Sequence, residues 1–297
     1  MSTDRPGTYV LTIDVEIDAG PKWKTSNPAS YEGVSKGIDV LQRLCDRYGV
    51  KPVYLISPAV MVDAGSVELL RSLDRRNCEL GAHLHGDYVP PQARFSGPDF
   101  SGCDPKDMQC QYDPTIELEK LRHLTHRFVE LFGYSPKSFR AGRFGARGWT
   151  LECLERLGYT HDTSVTPFRN WYDIADFSRA TILSPYYPST DDICAPGSST
   201  VLEVPVSITP GLEWLRPTPR FSDFEQCRKV IDWYEANTAP TVLCSMIHNV
   251  ELVPNKSPYC RTAEDCEAML ETIERTFQLL TARGYVFKPL HQVTVDG

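Results

Sequence analysis

Apolar positions along the chain recur with two periods, and the two periods alternate. Tyr9-Val10-Leu11-Thr12-Ile13 is a β-branched apolar run and predicts a buried strand. Ile38, Leu41, Leu44 and Tyr48 then fall on one helical face that stops at Gly49. Lys51-Pro52-Val53-Tyr54-Leu55-Ile56 predicts a second strand, Val67, Leu69, Leu70 and Leu73 a second helix, and Glu79-Leu80-Gly81-Ala82-His83-Leu84-His85 a third strand. Leu121, Leu124, Phe128 and Leu131 form a further helical stripe, with His123 and His126 opposite it on a face predicted to be solvated. A strand end follows at Ser138–Gly145, then a short helix through Leu151, Leu154 and Leu157 that leads to Gly158 and the 159–165 segment, with strand character again at 201–206. A helix with Val230, Ile231, Trp233 and Tyr234 leads to Thr241-Val242-Leu243-Cys244-Ser245-Met246-Ile247, apolar enough to be covered on both faces. Cys266, Met269, Leu270, Ile273, Phe277 and Leu280 mark the last helix. Strand alternating with helix predicts a parallel sheet with helical crossovers, an α/β fold.

Three stretches break the pattern: 18–30, 86–113 and 166–200, all rich in proline, glycine or serine. The longest follows directly on the third strand, where a loop of that length is more often functional than filler. Trp23, Trp171, Tyr172 and Trp214 lie in irregular segments and are candidates for stacking on sugar rings. No linker, repeat or change of composition divides the chain, so residues 1–297 are predicted to form one domain.

Composition narrows the function. With 41% hydrophobic and 24% charged residues the chain is that of a globular protein with a sizeable core. A net charge of −8 and the lack of any Lys/Arg-rich run argue against a nucleic-acid partner. No apolar run approaches the ~20 residues of a membrane span, and the first residues have no signal-peptide core, so a cytoplasmic location is expected. The ten cysteines include no Cys-x-x-Cys pair. Cys45, Cys78, Cys153 and Cys244 fit buried apolar positions, while Cys103/Cys110 and Cys260/Cys266 lie near enough in sequence to pair, with free thiols expected in a reducing compartment.

The candidate chemistry sits at the strand ends. Asp14 and Glu16 are two apart at the end of the first strand and therefore share a face. Two carboxylates so close need a compensating cation or donors. His83 and His85 end the third strand in the same way, and together the four make a divalent metal site plausible. Arg140 and Arg143 end the fourth strand and His248 the later one. In a parallel α/β barrel such ends converge on one pocket. The pattern reads as a metal-dependent hydrolase, with a carboxylate and a separate histidine for proton transfer.

The ordered set Thr12-Ile13-Asp14-Val15-Glu16, Glu79–His85, Phe139-Arg140-Ala141-Gly142-Arg143-Phe144-Gly145, Leu157-Gly158-Tyr159 with Asp162–Pro167, and Met246–Leu252 with Ser257-Pro258-Tyr259 resembles the NodB-type polysaccharide deacetylases, carbohydrate esterase family 4, in their WalW-like branch. The resemblance implies a distorted (β/α) barrel that removes N-acetyl groups from amino sugars with one divalent ion, zinc foremost and cobalt, nickel or manganese as alternatives. It implies Asp14 as catalytic base, Arg140 as the residue that orients it, and His248 as general acid. Glu16, His83 and His85 are the expected ligands. Asp14 stands as an alternative metal carboxylate, because Val15 takes the place of the family's adjacent aspartate. Asp87 stands as an alternative to His85, since it occupies the position of the usual second histidine; its other expected role is to accept a hydrogen bond from a ligand histidine. Arg143 and Trp23 are the expected substrate contacts. The sugar substrate is a small molecule, an oligosaccharide or a lipid- or nucleotide-linked precursor. Deformylation, cyclic-amide hydrolysis on the same fold, and a degenerate glycan-binding barrel are the competing readings.

Overall fold

The computed structural model describes residues 6–26, 28–93 and 108–297. Strand β1 (Thr8–Val15) is followed by α1 (Ile38–Tyr48), β2 (Val53–Ile56), α2 (Ala64–Ser72) and β3 (Glu79–Leu84). Then come α3 (Pro114–Phe132), β4 (Ser138–Ala141), α4 (Gly148–Arg156) and the two-residue β5 (His161–Asp162). The irregular region holds a small antiparallel ribbon, β6 (Asn170–Trp171) and β7 (Ala175–Asp176). The chain ends with β8 (Leu202–Glu203), α5 (Phe224–Asn237), β9 (Val242–His248), α6 (Ala263–Ala282) and β10 (Val286–Phe287).

The helix boundaries have local causes. Asp63, Asp113, Asp223 and Thr262 each accept a hydrogen bond from the backbone of the first turn they open. Gly49 ends α1 at φ +67°, a conformation costly for any residue with a side chain.

Seven strands lie parallel in the order β9-β1-β2-β3-β4-β5-β8, and β10 pairs with the first two residues of β1 below β2. Ser207, just past β8, donates its N–H to the Cys244 carbonyl of β9 at 2.9 Å, so the sheet's two edges meet at one point. The result is a parallel sheet curled into a distorted barrel, as expected from the alternation of periods.

Strand alternation sorts the side chains into two sets. Tyr9, Leu11, Ile13 and Val15 belong to the larger apolar core, which also holds the buried faces of the helices. Val10, Val53, Leu55, Leu202, Val204, Val242 and Cys244 belong to a separate, smaller core with Leu290 and Val293 of the C-terminal segment. On β1 the smaller core's Val10 is followed, at every second residue, by Thr12, Asp14 and Glu16, so one face changes from apolar to polar to acidic along the strand.

Two expectations need correction. Strand character at 201–206 shrinks to Leu202–Glu203, because the following segment bonds to Asp162, Val165 and Cys244 one residue at a time rather than as a ladder. Strand β10 was not expected at all; two residues carry no readable period. The nine cysteines among the described residues are all buried; Cys260 and Cys266 are free thiols, and the expected Cys103/Cys110 pair involves Cys103, which lies outside those residues. His123 and His126 are exposed, as their position opposite the stripe predicts. Residues 94–107 of the long loop also fall outside the described set. Among the described residues no helix is long and apolar enough to cross a membrane.

Candidate active site

Arg140 is the centre of the barrel's upper half. It is fully buried on β4, and its guanidinium crosses the interior. Nη1 donates to Asp14 Oδ1 at 2.8 Å, Nη2 to Thr12 Oγ1 at 2.7 Å, and Nε to the Thr163 carbonyl at 2.9 Å. These bonds tie β1, β4 and the segment after β5 together. The Asp162-Thr163-Ser164 run supports the same strands from behind: Ser164 Oγ donates to Asp162 Oδ1 and accepts the Ala141 N–H.

Asp14 is 3% exposed. With Oδ1 engaged by Arg140, its Oδ2 lies 4.0 Å from both His83 Nε2 and His248 Nε2. Burial pushes this carboxyl up, but Arg140, His83 and His248 outweigh burial and hold it below its ordinary value.

Glu16 lies one step further along the same face. Its Oε1 is 3.2 Å from His83 Nε2 and 2.9 Å from His85 Nε2, and the two imidazole nitrogens are 3.1 Å apart. Burial opposes ionisation here too, and the two histidines overcome it, leaving the carboxyl well below its usual range. Donor atoms around one tetrahedral ion with bonds of ~2.0–2.1 Å are roughly 3.3 Å apart, so three donors at this spacing fit a single small divalent ion. Glu16, His83 and His85 form the group of ligand-type side chains whose donor atoms converge, all within 4.8 Å of one another. The tautomer suits the task as well. His83 Nδ1 lies 2.9 Å from the Arg140 carbonyl, which takes the N–H and leaves Nε2 as the free lone pair.

Two backbone devices set these side chains. Asn249, fully buried, accepts the Glu16 N–H at 2.8 Å and donates to the Glu16 carbonyl at 3.0 Å, so it continues the sheet where β1 ends. Gly142 leaves room for His85: a Cβ there would sit 2.4 Å from the Leu84 carbonyl oxygen and 3.1 Å from His85 Nδ1.

Asp87 belongs to a different arrangement. It is fully buried in the turn Gly86–Tyr88, outside the converging group, and its Oδ1 accepts the Tyr112 hydroxyl at 2.7 Å. The backbone turns at Gly86, which ends the alternation that would have carried Asp87 towards the histidines. Lys120, also fully buried, fixes that turn by donating to the carbonyls of Gly86, Val89 and Pro91 at 2.7, 2.9 and 2.6 Å.

On the far side of Asp14, His248 Nδ1 is 2.7 Å from Glu251 Oε1. Arg216 Nη2 donates to the same oxygen, and Thr218 Oγ1 donates to Glu251 Oε2 at 2.7 Å. Glu251 is fully buried; burial raises its carboxyl, yet Arg216 and His248 bring it down to about 2. With Nδ1 held by the carboxylate, Nε2 is left facing Asp14.

Trp23 stands beside this pair, its ring centroid 5.4 Å from His248 and 5.4 Å from Tyr259. Trp23, Arg143, Trp171 and Tyr172 line the same ≈670 Å³ cleft as Asp14 and His248. Trp214 does not line it. At 6% exposure it packs behind Trp171 and Phe144 and belongs to the support of that wall.

Arg216, Thr218, Asn249 and Glu251 were not foreseen as site residues. Asn249 and Glu251 did lie in the quoted Met246–Leu252 run, where an acid three residues after a candidate acid histidine was the available signal. Arg216 and Thr218 come from a loop with no periodic cue.

Neither a family model nor any curated protein matches the sequence. Solved structures do resemble the fold. A crystal structure described as a glycoside hydrolase/deacetylase from Parabacteroides distasonis superposes with a TM-score of 0.67 at 11% identity, covering 97% of this chain and 70% of that one. One described as a polysaccharide deacetylase from Mycobacterium smegmatis gives 0.55 at 16% identity, covering 98% and 91%. PuuE allantoinase gives 0.57 at 14% identity, covering 95% and 86%. The chain therefore has the fold of the NodB-type polysaccharide deacetylases of carbohydrate esterase family 4.

Proposed function

We propose that this protein is a metal-dependent hydrolase that removes an N-acetyl group from an amino sugar. The observation that carries the reading is the position of Asp14. Its unengaged oxygen lies 4.0 Å from an imidazole of a metal-type donor set on one side and 4.0 Å from a carboxylate-held imidazole on the other. A base between an electrophile site and an acid is what amide hydrolysis requires.

Glu16, His83 and His85 are the ligands of one divalent ion in this reading. Two imidazoles and a carboxylate are a zinc-type donor set, with cobalt, nickel or manganese as alternatives. An ion bound there supplies Lewis-acid polarisation of the acetamide carbonyl. Asp14 Oδ2 takes a proton from the attacking water, while Arg140 keeps the carboxylate ionised and fixed in orientation. His248, tied at Nδ1 to Glu251, gives a proton from Nε2 to the departing amine, without which the C–N bond does not break. Trp23, Trp171 and Tyr172 give the cleft aromatic faces of the kind that stack on sugar rings.

Cyclic-amide hydrolysis is the second reading, favoured by the likeness of fold to PuuE allantoinase. It would use the same base, acid and ion on a ring C–N bond. A glycan-binding barrel without chemistry has no need of the paired Asp14 and His248. Acetate release from N-acetylglucosamine oligomers, followed before chelation, after it and after zinc is returned, tests the proposal. Loss and recovery of acetate release is expected. Full-rate hydrolysis by the chelated protein contradicts the ion's role, and ring opening of cyclic amides without acetate release replaces the first reading by the second.

A further inference from the structure

We infer that the site has a second lobe that binds an anionic group carried by the substrate, with Arg143 as the residue that selects it. The inference rests on the amino-sugar reading above for the scaffold that bears the anion. Past Glu16 and His85 a side lobe opens, lined also by Ile17, Ser57, Ala59 and Tyr88. Arg143 lines both this lobe and the cleft that holds Asp14 and His248.

The charged side chains around the two lobes do not pair off one to one. Three carboxylates, Asp14, Glu16 and Glu251, face three guanidiniums, Arg140, Arg143 and Arg216. Asp14 is taken by Arg140 and Glu251 by Arg216, while Glu16 is taken by His83 and His85. Arg143 is left over. Among the described residues it forms no ion pair, and its Nε is buried with no hydrogen-bond partner. An orphaned Nε recurs at Arg147, Arg169 and Arg216, but of these only Arg143 combines it with the lack of an ion pair and a place in both lobes. In a chain of net charge −8 a pocket with an unmatched cation is all the more specific.

Two further features point the same way. Arg143 sits at φ +54°, a left-handed conformation unfavourable for any residue with a side chain, and such strain is retained where it aims a functional group. Ser57 is only 2% exposed, its Oγ has no partner, and it lines the side lobe. A planar guanidinium fork with a hydroxyl nearby matches the oxygens of a carboxylate or a phosphate.

Calorimetric binding to the zinc-loaded full chain tests this without turnover. The probes are glucosamine, glucosamine 6-phosphate and muramic acid, which carry no anion, a phosphate and a carboxylate on the same amino-sugar ring. One of the anionic rings is expected to bind at least ~10-fold tighter than glucosamine, the scale of one charge-assisted bond; which one does so identifies the anion. Arg143→Met should abolish that advantage, Arg143→Lys should keep part of it, and Ser57→Ala should lose a smaller part. Equal binding of all three rings by the unmodified protein, including no measurable binding, overturns the inference. So does a preference that survives in a folded Arg143→Met protein. An intact anion preference with no acetate release contradicts the proposed chemistry alone; acetate release without an anion preference contradicts the second lobe alone.

Discussion

Replacing Glu251 by Gln separates the charge behind His248 from its shape. The amide is isosteric with the carboxylate and still accepts the Thr218 hydroxyl, but it removes the anion 2.7 Å from His248 Nδ1 and leaves Arg216, 5% exposed, without its counter-charge. Burial raises the Glu251 carboxyl, and Arg216 and His248 more than offset this, bringing it from 4.5 to about 2. At 1.36 kcal/mol per tenfold change, that difference is worth about 3 kcal/mol of folding free energy at neutral pH. The sign follows from the depressed folded value: the contribution is full above pH ~4.5 and fades as pH falls towards about 2. Glu251→Gln should therefore unfold about 3 kcal/mol more easily in urea at pH 7, with the gap narrowing by pH 3. The same carboxylate holds the His248 ring by Nδ1 with Nε2 towards Asp14, so its loss should lower kcat for acetate release by ~10² or more with little change in KM, the usual scale for an impaired general acid. A variant within threefold of the original kcat at equal metal content would refute the role of Glu251 in holding the acid. A stability gap of the same size at pH 3 and pH 7 would refute its electrostatic origin.

Other consequences follow from the same geometry. Asp14→Asn and His248→Ala should each lower kcat by ~10²–10⁴ while metal content stays at the original ratio; loss of metal from His248→Ala would move that histidine into the ligand set. His85→Ala should abolish tight metal binding, whereas Asp87→Ala, which breaks the Tyr112 bond in the adjoining turn, should weaken affinity only ~10–100-fold; metal titrations giving the reverse order would exchange the two roles. At the other end of the barrel, the Glu79 carboxylate 3.0 Å from His291 Nδ1 raises that imidazole above its ordinary 6.5. Its contribution is thus full below pH ~6.5 and is lost as pH rises through the raised folded value. His291→Gln should be destabilising at pH 6 and nearly neutral at pH 9; an equal loss at both would remove the charge from the account.

How much of this was legible in the sequence depended on whether a period carried it. The period-2 alternation of β1 put Asp14 and Glu16 on one face, and the structure does bring Glu16 beside both His83 and His85. Arg140 was legible as a strand-end polar residue, but not as a side chain spanning the barrel to Thr12 and Thr163, since those partners are more than 20 residues away on other elements. Gly86 and Pro90-Pro91 signalled that the third strand ends before Asp87, but the buried Lys120 that holds this turn by three carbonyls comes from a distant helix and carried no signal. The Glu251–Arg216 support was hidden for a similar reason. It joins a one-turn helix, Asn249–Leu252, to an irregular loop, and only the fold brings the two together.

The central claim is that Glu16, His83 and His85 hold one catalytic divalent ion. Elemental analysis of the purified chain beside its Glu16→Gln variant, with acetate release measured on the same samples, tests it most directly. The account predicts one equivalent of metal and acetate release in the unmodified protein, and loss of both in Glu16→Gln. Metal-free protein that releases acetate at full rate, or a Glu16→Gln protein that keeps its full equivalent of metal, would contradict it.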